Sequence, residues 1–356
     1  MKRLISMLLA AMMIISMVAT TAMAVSSELP FEDVAIDAWY YQHVKDAYTM
    51  DLMHGQSSVK FAPEVSMKRS ELVKILANIA GLTDEELQSK NYAAEAAKKF
   101  TDVKEDDWFA SFVGWANSQD ILRGYETGDV RPNNSASRQE IAVMFGRFMK
   151  AISFNWKAES ETPDSLFTDN DEVADWAYYE VYLLKAMNVI SGYEGGSFRP
   201  TKPMLRSEIA KVAAEFVKFR NNELDESIPE TPELSITAEA DAVVTAEELN
   251  ALTGALNTNK YFTSVSIANS DDALAKIAAV EPGNSAEIDL KVVFESVKYS
   301  SDRTYKLNLT RKPVAEVPNP EVPGGLTFSY TAEADENVIL DKISAIVNAE
   351  ANADGK

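Results

Sequence analysis

An apolar pattern that occurs three times in the chain constrains its fold most strongly. Each copy places apolar residues at positions i, i+3, i+4 and i+7, which share one face of an α-helix. The three stripes lie at residues 72–79, 141–148 and 209–216. Each stripe follows an Arg-x-Glu sequence, whose arginines are Arg69, Arg138 and Arg206. The pattern therefore predicts three equivalent helices, each with one cation near its N-terminus.

Tryptophan, glycine, proline and aspartate residues repeat in the same register as these stripes. Trp39, Trp108 and Trp176 are 69 and 68 residues apart. The other repeated positions are Gly55, Gly124 and Gly192, then Pro63, Pro132 and Pro200, and the aspartates of Phe-x-Asp, which are Asp33, Asp102 and Asp169. A unit that recurs at a fixed period buries its apolar face by packing on its neighbours. We therefore expect three helical hairpins whose second helices form a trimeric bundle around a pseudo-threefold axis.

Turn and capping residues predict how each hairpin is built. The aspartate of Phe-x-Asp can cap the first helix, which in the second copy is predicted over residues 108–122. Gly124 is expected to end that helix, because glycine readily adopts a positive φ. The second helix is expected to start near the arginine, with a serine capping box at residues 137–140 that the other copies lack. Another capping box, at residues 83–86, predicts an extra helix between the first two copies.

The N-terminus and the composition limit the compartment and the partners. Lys2 and Arg3 precede an apolar run at residues 4–18, and Ala-Met-Ala follows at 22–24. Residues 1–24 are therefore predicted to be a secretory signal peptide, the alternative being an uncleaved membrane anchor. The formal net charge of −21 disfavours nucleic acid and an anionic membrane as partners. The chain has no cysteine, which excludes disulfides. We expect a secreted, soluble protein with no membrane insertion after signal cleavage.

The composition changes after the third copy. Residues 221–233 form an acidic linker, and β-branched alternation with short helical segments at 234–312 predicts a small α+β domain. Its strands are predicted at 234–240, 262–267, 286–297 and 305–310, and its helices at 245–256 and 271–279. A Pro-rich linker at 313–325 follows. Residues 326–356 begin with an echo of the α+β domain, so we interpret them as an incomplete second copy of it. We expect the sequence to be a fragment; a vestigial half-repeat is the alternative.

The combined motif of F-x-D, Trp, Gly-Tyr, F-x-P and T-R-A-E resembles the S-layer homology domain, in its usual arrangement of three tandem copies. The motif begins here as FEDV, FTDV and FTDN, and at the second helix it reads KRSE, SRQE and LRSE. The resemblance implies repeats at 29–83, 100–151 and 167–220, with a helical spacer at 84–99 and a second spacer at 152–166. The first copy departs from the pattern, because it has Gln56 where the others have Tyr125 and Tyr193. This departure weakens the assignment of a groove to that copy.

The resemblance also implies a ligand. In this family the arginines line grooves between neighbouring units and bind a secondary cell-wall polymer, typically one with pyruvate ketals on N-acetylmannosamine. The polymer-binding residues would be Arg69, Arg138, Arg206, Trp39, Trp108, Trp176, Gly55, Gly124, Gly192, Tyr125, Tyr193, Asp33, Asp102 and Asp169. An arginine at a helix N-terminus suits a carboxylate, since free N–H groups and the helix dipole favour an anion. Three such contacts on one hub would give tight attachment.

The residues by themselves leave alternatives open. Each arginine could form only a structural ion pair with a neighbouring copy, and each tryptophan or tyrosine could pack in the core rather than face a sugar. The three aspartates could cap helices rather than contact a ligand. His43 and His54 have no partners at metal-ligand spacing, and residues 169–171 lack the rest of a calcium loop. Neither a metal nor a cofactor is expected.

No catalytic motif stands out, so no catalytic residue is assigned. We expect a non-catalytic anchor that holds the protein on the bacterial cell wall and displays its C-terminal region as an S-layer or surface protein. One alternative is an anchored enzyme, for example one that degrades polysaccharide, whose catalytic domain lies beyond the chain end. Another is lateral self-association of the C-terminal units in an S-layer.

Overall fold

The computed structural model describes residues 29–157, 167–257, 262–296 and 298–315. The chain divides into two compact units, with the boundary between Asn222 and Glu223. The predicted signal peptide and the predicted incomplete copy lie outside the described residues, as does most of the Pro-rich linker. No helix in the described ranges combines the length and the apolar character that crossing a bilayer requires.

The first unit is built from helices. Its helices are α1 (Tyr41–Thr49), α2 (Arg69–Ile79), α3 (Asp84–Ser89), α4 (Tyr92–Lys99), α5 (Ala110–Ser118), α6 (Arg138–Ala151), α7 (Asp175–Ala186) and α8 (Arg206–Ser227), with a short 3-10 turn at Asn170–Glu172. The predicted hairpins would pair α1 with α2, α5 with α6 and α7 with α8. The closest of these helices instead belong to successive copies, because α2 packs against α5 and α6 packs against α7. Each second helix begins at its arginine, as predicted. Thr83 Oγ1 accepts the Glu86 N–H at 3.2 Å, which confirms the extra helix α3. The predicted helical spacer at residues 84–99 contains α3 and a second helix, α4, where a single helix was expected.

The three apolar stripes are buried in one core. Leu72, Ile141 and Ile209 have no exposed surface. The ring of Phe216 in α8 lies 5.5 Å from that of Phe145 and 6.0 Å from that of Phe148, both in α6. Burying a side chain of this size contributes about 1.5–3 kcal/mol. The helical period of the sequence therefore identified the buried faces of α2, α6 and α8.

The segments that precede the second helices join the three copies in a closed ring. The Met67 N–H donates to the Met204 carbonyl at 2.8 Å, the Met204 N–H to the Ala136 carbonyl at 3.2 Å, and the Ala136 N–H to the Met67 carbonyl at 2.9 Å. These residues stand two positions before the three arginines, and their side chains are fully buried. Each copy thus donates one backbone hydrogen bond to one neighbour and accepts one from the other.

The first helix of each hairpin does not end at the predicted glycine. Helix α5 is shorter than the predicted range, and the left-handed residue that follows it is Asp120, with φ of 58°. The equivalent left-handed residues are Asp51 and Asn188. A Cβ on Gly124 would lie 2.6 Å from the Phe100 ring and 2.9 Å from the Asp129 carbonyl oxygen. The predicted role was therefore wrong: the glycine is required by the close approach of this ring, not by helix termination.

The aspartates of Phe-x-Asp do not cap helices either. The Asp102 carboxylate accepts the backbone N–H groups of Val130 at 2.9 Å and Arg131 at 2.7 Å. Asp33 and Asp169 accept the equivalent pairs of N–H groups in their own copies. Arg131 has a φ of 53°, and these charge-assisted bonds hold that left-handed turn. The predicted cap was wrong because each aspartate reaches across its hairpin to the loop before the second helix. The residues at the N-caps of the first helices are Tyr40, Phe109 and Ala174.

The second unit is a four-stranded sheet with two helices. Its elements are β1 (Leu234–Ala238), α9 (Ala246–Ala251), a 3-10 turn (Leu252–Ala255), β2 (Ser264–Ile267), α10 (Ser270–Ala278), β3 (Ser285–Ser296) and β4 (Tyr299–Arg311). The strand order is β1-β4-β3-β2; β1 is parallel to β4, and the other pairs are antiparallel. Leu290 and Phe294 of β3 share a core with Leu249 of α9 and Ile277 of α10. The predicted α+β pattern is confirmed, although β4 starts earlier than predicted because its pairing with β3 continues to Tyr299.

Candidate functional site

The arginines that start α2, α6 and α8 are buried, and each reaches into a neighbouring copy. Arg69, Arg138 and Arg206 are 6%, 4% and 5% exposed. Their Nε–H groups donate, in the same order, to the backbone carbonyls of Val130 (3.0 Å), Phe198 (2.6 Å) and Phe61 (2.9 Å). The order is cyclic, because copy one reaches copy two, copy two reaches copy three, and copy three reaches copy one.

Each buried arginine also faces the glutamate of the Arg-x-Glu sequence in the copy that it reaches. The Nη1–Oε1 distances are 2.9 Å for Arg69–Glu140, 3.7 Å for Arg138–Glu208 and 3.7 Å for Arg206–Glu71. Burial lowers the pKa of Arg138 and of Arg206, but a guanidinium stays charged in a protein. The ion pairs that the sequence left as an alternative are therefore present, and they join neighbouring copies.

Glu140 shows how these glutamates connect two copies. Its Oε2 accepts the backbone N–H of Ser137 at 2.9 Å, and its Oε1 accepts from Arg69 at 2.9 Å and from the Tyr125 hydroxyl at 3.1 Å. Burial acts to raise the pKa of Glu140, but the Ser137 hydrogen bonds and the Arg69 charge outweigh it, so the pKa lies below its ordinary value. The other glutamates also accept the N-cap N–H, from Lys68 to Glu71 (2.9 Å) and from Leu205 to Glu208 (2.8 Å). This half of the capping box therefore needs no serine.

The first N–H groups of the second helices already have partners. The Arg69 N–H donates to the Asn134 carbonyl at 3.0 Å and the Ser70 N–H to the Pro132 carbonyl at 2.9 Å, both in the next copy. The equivalent donors in the other copies are Arg138, Gln139, Arg206 and Ser207. The expectation that free N–H groups at these helix starts attract an anion is therefore wrong, because a loop of the neighbouring copy occupies them.

Two grooves in the first unit are each lined by residues from all three copies. The Arg206 groove contains loop 52–56 and helix α2 of copy one, Trp108 of copy two and Arg206 of copy three. The Arg138 groove contains loop 189–193 and helix α8 of copy three, Trp39 of copy one and Arg138 of copy two. The two grooves are the same arrangement, shifted by one copy in the cyclic order. Closure of the ring therefore creates them.

The three tryptophans are exposed beside the first helices. Trp39, Trp108 and Trp176 are 59%, 55% and 56% exposed, so the alternative that they pack in the core is wrong. Trp39 and Trp108 line the grooves just described, and Trp176 holds the equivalent position in copy three. An indole that presents one face to solvent can stack on the apolar face of a sugar ring.

Tyr125 and Tyr193 are half-buried, and each contacts both members of an Arg–Glu pair. The Tyr193 ring centroid lies 4.7 Å from the guanidinium carbon of Arg138, and its hydroxyl donates to Glu208. Burial raises the pKa of both tyrosines. Tyr193 lines the Arg138 groove, whereas Gln56 lines the Arg206 groove. Each tyrosine thus holds an Arg–Glu pair, and Tyr193 also forms a groove wall. The loop of the first copy lines a groove without a tyrosine.

Two of the predicted glycines line the grooves, whereas the predicted aspartates do not. Gly55 and Gly192 line the Arg206 and Arg138 grooves, respectively. Asp33, Asp102 and Asp169 line neither, and both carboxylate oxygens of each are bound to backbone N–H groups. The aspartates therefore shape the loops that carry the arginine acceptors Phe61, Val130 and Phe198.

Sequence reasoning missed two lysines that line the grooves. Lys74 and Lys211 each stand five residues after the arginine of their own copy. The Lys74 Nζ lies 5.9 Å from the Trp108 ring centroid, and the Lys211 Nζ donates to the Ser191 hydroxyl at 2.8 Å. Within the described ranges, neither has a carboxylate oxygen within 4.0 Å. Their shared register was the available signal, but copy two has Val143 at that position.

The fold and the grooves define a class: three tandem two-helix repeats, closed into a ring by backbone hydrogen bonds, with cations and exposed tryptophans between copies. The family model of the S-layer homology domain matches residues 30–73, 99–142 and 166–210. The chain therefore carries three tandem copies of the S-layer homology domain. It is a secreted protein of the bacterial cell wall or S-layer, and these domains are its cell-surface anchoring region.

Curated relatives include surface proteins and enzymes. The Surface-layer 125 kDa protein of Lysinibacillus sphaericus is 26% identical over 276 residues, which is 76% of this chain and 22% of the relative. The Cellulosome-anchoring protein of Acetivibrio thermocellus is 27% identical over 183 residues, 51% of this chain and 38% of the relative. An Endoglucanase of Bacillus sp. (strain KSM-635) is 26% identical over 216 residues, 59% of this chain and 22% of the relative. The chain thus spans well under half the length of each of these relatives.

Proposed function

We propose that the three domains form a hub with a pseudo-threefold axis whose grooves bind an anionic secondary cell-wall polymer without covalent attachment. The closed backbone ring at Met67, Ala136 and Met204 supports the axis, because equivalent atoms of three copies make equivalent bonds. The ligand class is a pyruvylated glycan, in which a carboxylate is carried on a sugar. The C-terminal region is displayed from this anchor and associates laterally in an S-layer.

One observation carries this proposal: each of the two grooves is lined by an exposed tryptophan and by a lysine that has no carboxylate oxygen within 4.0 Å among the described residues. In the Arg206 groove these are Lys74 and Trp108, and in the Arg138 groove they are Lys211 and Trp39. The lysine can pair with the ketal carboxylate while the indole covers the sugar face. The buried arginine of each groove already pairs with a glutamate and holds the groove in shape. We therefore propose that the lysine shares the polymer-binding role expected for the arginine.

A multivalent anchor suits the charge of the whole chain. The net charge of −21 repels an acidic polymer at long range, but salt at physiological strength screens charges beyond about 8 Å. Short-range contacts in separate grooves then add through effective concentration, so weak single contacts give firm attachment.

We propose further that the chain has no catalytic role. The alignment with the Lysinibacillus sphaericus surface-layer protein covers 276 residues, more than the 222 of the first unit, so it includes part of the second unit. This likeness beyond the first unit favours a surface-layer protein over an anchored enzyme.

Sedimentation with purified sacculi that carry pyruvylated polymer tests the proposal. We expect the mature protein to co-sediment, and the Lys74→Ala, Lys211→Ala double variant to bind at least about tenfold more weakly, since a charge-assisted hydrogen bond is lost in each groove. Removal of pyruvate from the sacculi should have the same effect. The matched control is Lys98→Ala with Lys104→Ala, two exposed lysines that line neither groove. Equal sedimentation of both double variants and the parent would contradict the proposal.

The double variant Arg138→Ala, Arg206→Ala should also release the protein, but its arginines hold neighbouring copies together. Its sedimentation is informative only if circular dichroism shows native helix content. The lysine variants avoid this difficulty, because neither lysine has an ion pair to lose within the described ranges.

A further inference from the structure

The threefold repeat implies a third groove, equivalent to the two described above. The residue that is a lysine in those two grooves is not a lysine at this third site. The Arg69 groove is defined by register: loop 121–125 and helix α6 of copy two, Trp176 of copy three and Arg69 of copy one. Val143 takes the place of Lys74 and Lys211, and it is 5% exposed. If the unpaired lysine carries binding in the other grooves, this groove needs another cation or binds no anion.

Two arginines in copy two stand at positions that line the Arg206 groove in copy one. Arg147 corresponds to Asn78 and Arg123 to His54, each 69 residues earlier. Asn78 and His54 both line the Arg206 groove. By this register, copy two has two arginines at the wall of the Arg69 groove where copy one has an asparagine and a histidine.

Within the described residues, Arg69, Arg123 and Lys150 each have a carboxylate partner. The pairs are Arg69–Glu140 (2.9 Å), Arg123–Asp120, which is bidentate, and Lys150–Glu180 (3.9 Å). Arg147 is half-buried and has no hydrogen bond or ion pair within the part of the chain that the structure describes. Burial lowers the pKa of Arg147, Arg123 and Arg69 lower it further, and Asp120 and Glu180 oppose them. An anion at this guanidinium would offset both the burial and the repulsion.

We infer that Arg147 is the anion-binding cation of the Arg69 groove, where it replaces the lysine of the other two grooves. The inference rests on the proposed function and extends it to a residue outside the arginine, tryptophan and tyrosine pattern. Arg147 stands nine residues after Arg138, whereas the lysines stand five after their arginines. Four residues of helix correspond to about 6 Å, so the anion would sit one turn further along α6. A planar guanidinium binds an oxyanion through two parallel hydrogen bonds, which suits a glycan carboxylate or phosphate.

The substitution Arg147→Asn tests this inference, because asparagine is the residue of copy one at the same position. It is made in the parent chain and in the Lys74→Ala, Lys211→Ala background, where the Arg69 groove supplies the remaining binding. We expect sedimentation with sacculi in that background to weaken about tenfold further. The control is Lys104→Asn, which removes one exposed charge elsewhere, and should change binding little.

A structural role and a binding role give different results in thermal unfolding. Arg147→Asn should leave the melting temperature of the unbound protein unchanged or raise it, since it removes an unpaired, half-buried charge. Unaltered sedimentation in the lysine-depleted background, or a lower melting temperature together with proportionate loss of binding, would overturn the inference while the proposed function stands. Failure of the parent protein to bind sacculi would instead contradict the proposed function.

Chemical treatment of the sacculi distinguishes the two sources of the anion, a ketal carboxylate and a phosphate. Mild acid removes pyruvate ketals and leaves phosphate in place. If the binding that depends on Arg147 disappears with the ketal, the ligand is the glycan carboxylate. If that binding survives, the ligand is a phosphate of the same polymer.

Discussion

The Arg138 groove and the Arg69 groove share one frame but differ in their remaining cation. In both, the arginine donates to a carbonyl of the next copy, pairs with a glutamate and lies against a tyrosine. The Arg138 groove adds Lys211, and the Arg69 groove adds Arg147. The buried contacts that join the three copies are thus repeated in every copy, whereas the cation of the groove wall differs between copies.

Removing the frame arginine should have the largest effect on stability. Arg138→Ala leaves two carbonyl oxygens without donors and Glu208 without its cation, so we expect the free energy of unfolding to fall by about 3–5 kcal/mol. Lys211→Ala in the same groove should change it by less than about 0.5 kcal/mol. Urea unfolding followed by circular dichroism measures both. Similar losses of stability for the two variants would contradict the distinction between the arginine, which joins the copies, and the lysine, which lines the groove.

Asp102 and Asp169 each hold the loop whose carbonyl accepts from a buried arginine. Substituting them tests whether these buried contacts are equivalent in the Arg69 and Arg138 grooves. Asp102→Asn and Asp169→Asn each replace one acceptor oxygen by an N–H₂ group that faces a backbone N–H. Each should cost about 1–3 kcal/mol in the same urea experiment, and the two costs should agree. Asp106→Asn, at an exposed position of copy two, is the control. A loss of polymer binding with unchanged stability would instead make these aspartates ligand contacts.

Much of the frame could be predicted from the sequence, because it depends on local periodicity. The i, i+3, i+4, i+7 stripes fixed the buried faces of α2, α6 and α8, and the Arg-x-Glu sequences located their first residues. The role of Asp102 could not be predicted, because its partners lie 28 and 29 residues further along the chain. The importance of Lys74 and Arg147 could not be predicted either, since which cation lacks a carboxylate depends on how the copies are arranged in space.

We expect the smallest difference in stability between alanine substitutions at Gly124, in the loop assigned to the Arg69 groove, and at Gly192, in the loop of the Arg138 groove. A Cβ on Gly124 would lie 2.6 Å from the Phe100 ring, whereas one on Gly192 would lie 3.0 Å from the Ser197 carbonyl oxygen and 3.2 Å from the Phe167 ring. We expect Gly124→Ala to cost about 1 kcal/mol more than Gly192→Ala, because the overlap is larger. Gly254→Ala, with open space around its Cβ, is the control. A larger loss at Gly192 would show that the two loops are not equivalent.

In our proposal, each groove binds the wall polymer mainly through one cation that has no carboxylate partner among the described residues, while the buried arginines also hold the three copies together. The most direct measurement is sedimentation of the Lys74→Ala, Arg147→Asn, Lys211→Ala triple variant with polymer-bearing sacculi, alongside its melting temperature. We predict that the variant stays in the supernatant and melts within about 4 °C of the parent. A folded triple variant that pellets as fully as the parent would contradict the claim.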